Sequence, residues 1–144
     1  MNKRIDIEKI SPKAYDAICG LENYLQSSSL PNIFFELIRI RASQINGCAF
    51  CINMHSSDAL KLGETHQRIF LLSVWRETSL YTKEEQIILA MTEEITLINE
   101  NGLSDETYML AKNVFNENEI AEIIMAIITI NAWNRIGIST KMIV

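Results

Sequence analysis

The chain has 144 residues, 48% of them hydrophobic, with 13 Lys+Arg against 18 Asp+Glu for a formal net charge of −5. That composition describes a single folded domain, residues 1–144, and excludes a chain disordered over most of its length. The acidic balance, with no basic run longer than Lys3-Arg4, leaves no patch for the phosphate backbone of a nucleic acid.

Residues 1–10 are interrupted by Asp6, Glu8 and Lys9, so they lack the apolar stretch of an export signal. Five glycines and two prolines are too few breakers for an all-β chain. Ser11-Pro12 reads as an N-cap followed by the first helical position, and Pro31 repeats the signal. Gly47 and Gly63 sit where helices stop, which divides the first half into three helices. In the first of them Cys19, among Ala17, Ile18 and Leu21, is expected as a small core thiol. Residues 69–75 are the one stretch that passes for a buried strand.

Thr82 with Glu85 reads as a capping box, opening a helix whose apolar stripe is Ile87, Ile88, Met91, Ile95 and Ile98. Ser104 opens a shorter amphipathic stretch through Met109, Leu110 and Val114, and Asn116 with Glu119 caps a helix that begins at Ile120. Its apolar run, residues 123–130, is far short of the roughly 20 residues that span a bilayer, so a buried helix and no membrane segment are expected. Trp133, Asn134 and Arg135 read as the end of that helix, structural or interfacial, and Trp75 and Arg76 read the same way. These elements add up to an all-α domain of about six or seven helices.

Three cysteines, an odd number, do not make a disulfide framework, and a reduced, cytoplasmic setting is expected. The chemistry concentrates in Asn46-Gly47-Cys48-Ala49-Phe50-Cys51-Ile52-Asn53-Met54-His55. If Cys48 opens a helix, then at about 100° per residue Cys48, Cys51 and His55 share an arc of roughly 60°. Thiols in the first turns meet unpaired N–H groups and the positive end of the helix dipole, and both favour thiolate. Given a hydroperoxide, a Cys51 thiolate would attack the O–O bond and become a sulfenic acid. His55, one turn away, would protonate the departing alkoxide, and Cys48 would condense with the sulfenic acid to a disulfide. The same face serves plain dithiol-disulfide exchange, and the pattern alone does not choose.

Two other readings compete. Cys48, Cys51, His55 and His66 are formally four zinc ligands, but a His three residues after the second Cys leaves no loop to wrap an ion, and Gly63 turns the chain before His66. No metal is predicted. The blander reading makes the two cysteines small buried hydrophobes and His55 a surface residue. Glu36, taken alone, reads as a solvated carboxylate paired with Arg39 three residues on.

Glu36, eleven residues, Cys48-x-x-Cys51, three residues and His55 together resemble the alkylhydroperoxidase (AhpD-like) branch of the carboxymuconolactone decarboxylase family. The likeness runs through Arg41-Ala42-Ser43-Gln44-Ile45-Asn46-Gly47-Cys48, Trp75-Arg76-Glu77, residues 93–96 and Asn131-Ala132-Trp133-Asn134-Arg135, over roughly residues 15–140. The resemblance implies an AhpD-like all-helical fold, assembly as a homotrimer or homohexamer, and antioxidant peroxidase activity with no bound cofactor. On the matched positions Cys51 would be the peroxidatic cysteine, Cys48 the resolving one, and Glu36 with His55 the proton relay. A carboxylate in that place orients the imidazole and raises its basicity. The implied partners are a hydroperoxide substrate and an external dithiol reductant, a lipoyl-bearing or thioredoxin-like protein. The best-known members carry a second His just before the second cysteine, where this chain has Phe50. The founding decarboxylases lack the cysteine pair, so lactone decarboxylation is not implied. A thiol-disulfide oxidoreductase and a non-catalytic oligomeric protein of the same fold are the alternatives.

Overall fold

In the computed structural model, which describes residues 3–144, the chain forms α1 (Ile7–Ile10), α2 (Pro12–Gln26), α3 (Asn32–Asn46), α4 (Ala49–Lys61) and α5 (His66–Leu71). A 3-10 helix, Leu72–Glu77, then leads to α6 (Lys83–Thr96), α7 (Asp105–Lys112) and α8 (Glu117–Thr140). Met1 and Asn2, the start of the stretch read for an export signal, lie outside the described residues. The described residues contain helices and no strand, and the helices slightly outnumber the six or seven expected because α1 and α5 are hardly more than single turns.

Local chemistry sets the helix ends. Both expected capping boxes form, Thr82 with Glu85 at α6 and Asn116 with Glu119 at α8. Gly47 ends α3 at φ +73°, a left-handed conformation that a side chain would strain. Residues 69–75 are helical rather than extended. Thr65 caps α5 by accepting from the Arg68 N–H, and a lone strand would have found no partner for its backbone.

The core is built around α3, which is buried on opposite faces. Ile38 and Ala42 pack with Ile88 and Met91 of α6 and Ile123, Ile127 and Ile130 of α8. Leu37 and Ile40 pack with Leu72, Trp75 and Leu89. Each such side chain, wholly removed from water, contributes about 1.5–3 kcal/mol, so α3 is anchored from two sides.

Other expectations are corrected by packing. α8 does not end at Trp133 but continues to Thr140, so Asn134 is mid-helix and fully buried at 0% exposure. Ile98 lies beyond the end of α6 and is exposed. Met109 and Leu110 are exposed as well, because α7 turns its short Thr107 and Ala111 inward instead. Cys19 is half-buried rather than in the core, since α2 lies on the outside of the bundle and buries only Leu25 fully. α8 alone among the described residues is long and apolar enough to cross a membrane, and its inward isoleucines pack in the cluster with α3 and α6.

Candidate active site

The turn at Gly47 delivers the chain from α3 into α4. Cys48 does not open that helix but caps it, with extended backbone (φ −89°, ψ 92°), and its Sγ accepts from the Cys51 N–H at 3.4 Å. Cys51 therefore occupies the third helical position, and the two are joined as a disulfide with their Cα atoms 5.4 Å apart. Both are buried, at 2% and 4% exposure. α8 covers them closely at Gly137, where an added Cβ would lie 3.2 Å from Cys48 Sγ and 3.6 Å from Cys51 Sγ.

A buried polar network holds that turn. Asn46 Nδ2 donates to Asn131 Oδ1 at 3.0 Å and to Asn134 Oδ1 at 2.9 Å, and Asn134 Nδ2 donates to Ser43 Oγ at 2.9 Å. The end of α3, just before the cysteine turn, is thereby tied to α8. A second network centres on Glu93 of α6, which accepts from Arg41 Nε at 2.8 Å, from Trp75 Nε1 at 3.0 Å and from Arg76. Burial pushes the Glu93 carboxyl up, but these donors outweigh it and hold the group below its ordinary range. The flanking motifs of the sequence are thus mostly structural, clamping α3 between α6, α8 and the 3-10 helix.

Glu36 is not solvated. It lies on central α3 at 6% exposure, with Oε1 accepting from Arg39 Nη1 at 2.6 Å and Oε2 set 2.9 Å from His55 Nδ1. His55, one turn after Cys51, is buried at 7% exposure and is not the surface residue of the blander reading. A carboxylate only accepts, so Nδ1 is the donor and Nε2 of the neutral ring carries the lone pair.

Cys51, His55 and Glu36 meet on the wall of one cavity of about 470 Å³, of which Cys48 is not a lining residue. The remaining wall is largely apolar, from Tyr15, Phe50, Met54, Trp133 and Met142, with Glu22, Arg39 and Asp58 adding charge. Trp133 meets Tyr15 edge to face at 5.2 Å, so this residue, expected to be structural or interfacial, in fact faces the site. Burial raises the Tyr15 phenol above its ordinary value, which keeps it neutral. Ligand atoms of Glu36, His55 and Asp58 converge within 4.8 Å, with the Glu36 oxygens also engaged by Arg39 and His55. His66 stands exposed on α5, stacked on Phe70, and joins no such cluster among the described residues.

Sequence reasoning missed Tyr15, Gly137, Met142 and the two-sided grip of Arg39. Nothing local marks them, because they reach the site from α2, α3, α8 and the segment after α8. Trp133 carried a signal in its Asn-Ala-Trp-Asn-Arg setting, and its place on the cavity follows from the unbroken course of α8.

The model of the carboxymuconolactone decarboxylase family matches residues 12–94. YdfG, an uncharacterized protein of Bacillus subtilis (strain 168), is 42% identical over 139 residues, 96% of this chain and 95% of its own. A crystal structure from Agrobacterium tumefaciens, of a protein of unknown function named as a candidate antioxidant defence protein AhpD, matches with TM-score 0.94 and 42% identity over 99% of this chain and 97% of the other. The debrominase Bmp8 shares the fold, with TM-score 0.81 at 18% identity over 92% of this chain and 72% of its own.

Proposed function

The chain belongs to the carboxymuconolactone decarboxylase family, in its AhpD-like branch, and we propose that it is a thiol-dependent peroxidase reducing organic hydroperoxides. The observation that carries this reading is the asymmetry of the buried pair: Cys51 and His55 both line the cavity, and Cys48 does not. Cys51 is then the sulfur that meets substrate and Cys48 the one that resolves the product.

In the reduced protein, Nε2 of His55 takes the Cys51 proton, and the thiolate is stabilised by its position in the first turn of α4 and by the imidazolium. The thiolate attacks one peroxide oxygen, the O–O bond breaks, and Cys51 becomes a sulfenic acid while an alkoxide leaves. His55 returns its proton to the alkoxide, releasing an alcohol. Cys48 displaces the sulfenic oxygen as water and forms the disulfide. An external dithiol attacks Cys51, takes over the disulfide and restores both thiols. The apolar wall formed by Phe50, Met54, Trp133 and Met142 favours the organic part of a hydroperoxide over hydrogen peroxide. A cytoplasmic setting supplies the dithiol, from a lipoyl-bearing or thioredoxin-like protein.

The test is the second-order rate at which reduced protein consumes cumene hydroperoxide, followed by peptide mass spectrometry. The expected results are a rate far above that of a free thiol, a Cys48–Cys51 disulfide as product, loss of activity in Cys51→Ser, and a trapped Cys51 sulfenic acid in Cys48→Ser. A rate no faster than a free thiol, with rapid reaction toward small disulfides, would replace the peroxidase by a thiol-disulfide oxidoreductase. Inertness toward both would leave a non-catalytic protein of this fold.

A further inference from the structure

The proton relay contains a third charge that the peroxidase chemistry does not itself require. Arg39 Nη1 donates to Glu36 Oε1, and its other arm, Nη2, donates at 2.6 Å to Glu22 Oε2 on α2. The guanidinium is well shielded, with 16% of its side chain exposed. Among the described residues it is also the only Lys or Arg lining the cavity, whose wall carries the carboxylates of Glu22, Glu36 and Asp58. The groups that line the cavity with His55 are Glu36 and Arg39 from α3, Cys51 and Asp58 from α4, Glu22 and Tyr15 from α2, and the uncharged Trp133 from α8. Without the guanidinium, the buried Glu36 carboxylate 2.9 Å from Nδ1, with Asp58 close by, would be uncompensated, which favours a protonated imidazole. A protonated ring has no lone pair to take the thiol proton.

We propose that Arg39 is a positioning residue that acts through its charge, offsetting Glu36 so that His55 stays a neutral base with Nε2 free for the Cys51 proton. The consequence for turnover rests on the peroxidase reading, but the charge relation does not.

The test is an NMR titration of the histidine ring signals in the disulfide form, in which neither Cys48 nor Cys51 ionises. The chain has two histidines, and exposed His66 on α5 serves as the internal reference. Arg39→Gln is expected to raise the His55 midpoint by about one pH unit. Arg39→Lys, which keeps the charge and loses the fork, should stay within about 0.3 unit of the wild type, and His66 should not move in either. An unmoved His55 in Arg39→Gln overturns the proposal, and so does an equal shift in both variants, which would trace the effect to geometry. Should Arg39→Gln fail to fold, Glu22→Gln takes its place: removing one carboxylate should lower the midpoint by about half a unit, and a rise or no change overturns the proposal. Wild-type inertness toward peroxide would remove the proposed function and leave the titration result standing.

Discussion

At the scale of single residues, the closest constraint on the chemistry is the missing side chain at Gly137. A glycine inside a helix costs up to about 1 kcal/mol relative to alanine, and nothing in the backbone of α8 at this position requires one. The reason is the neighbouring sulfurs, 3.2 and 3.6 Å from where a Cβ would stand. Breaking the disulfide moves two bonded sulfurs out to van der Waals separation, so the dithiol needs more room than the disulfide. Gly137→Ala should therefore leave the helical circular dichroism intact while slowing disulfide opening by dithiothreitol about tenfold, as about 1.4 kcal/mol of crowding would. Equal rates in wild type and variant would show that the sulfurs have room elsewhere.

At the scale of elements, two polar networks bind helices that apolar packing alone would leave free to slide. Glu93 joins α6 to α3 and the 3-10 helix, and its donors hold it below the ordinary carboxyl value of 4.5 despite burial. A carboxyl depressed in the folded state stabilises the fold above its unfolded value, and that contribution is lost as the pH falls through the folded one. Glu93→Gln should lower stability at neutral pH by about 2 kcal/mol, with the gap to wild type closing in denaturant titrations as the pH falls below the ordinary carboxyl value. A gap independent of pH would assign the loss to shape. Asn134, fully buried, accepts from Asn46 and donates to Ser43. Asn134→Leu strands the Ser43 hydroxyl and should cost about 2–3 kcal/mol, measured by urea unfolding. Because Ser43 and Asn46 immediately precede Gly47 and Cys48, the same variant is expected to broaden the NMR signals of the cysteine turn.

At the scale of the whole molecule, one protomer leaves many large apolar side chains in contact with water. Phe70 is 73% exposed, Ile98 62% and Met109 54%. The family likeness implies assembly as a homotrimer or homohexamer, and closed cyclic symmetry is the common way for one chain to cover such surface. Sedimentation equilibrium is expected to give three or six times the protomer mass of 16.5 kDa. A single species at the protomer mass would refute that expectation.

The division between sequence and tertiary structure follows the range of the forces involved. Capping boxes at Thr82 and Asn116, the left-handed stop at Gly47 and the spacing of Cys48, Cys51 and His55 act over a turn or two, so the sequence determined the all-helical class, most helix starts and the shared location of thiols and base. Helix ends without a marked stop were legible less well: α8 runs past Trp133 and through Gly137 until Lys141 adopts φ 54°. The residues that complete the site come from α2, α3 and α8, separated by tens of positions along the chain, and no local pattern records their meeting. Glu36 shows the limit most clearly. Its spacing to Arg39 described a surface pair, and burial of α3 on both faces turned that pair into a buried link between His55 and Glu22. Which sulfur faces the cavity was likewise decided above the level of spacing, since Cys48 caps α4 with extended backbone while Cys51 sits in its first turn on the cavity wall.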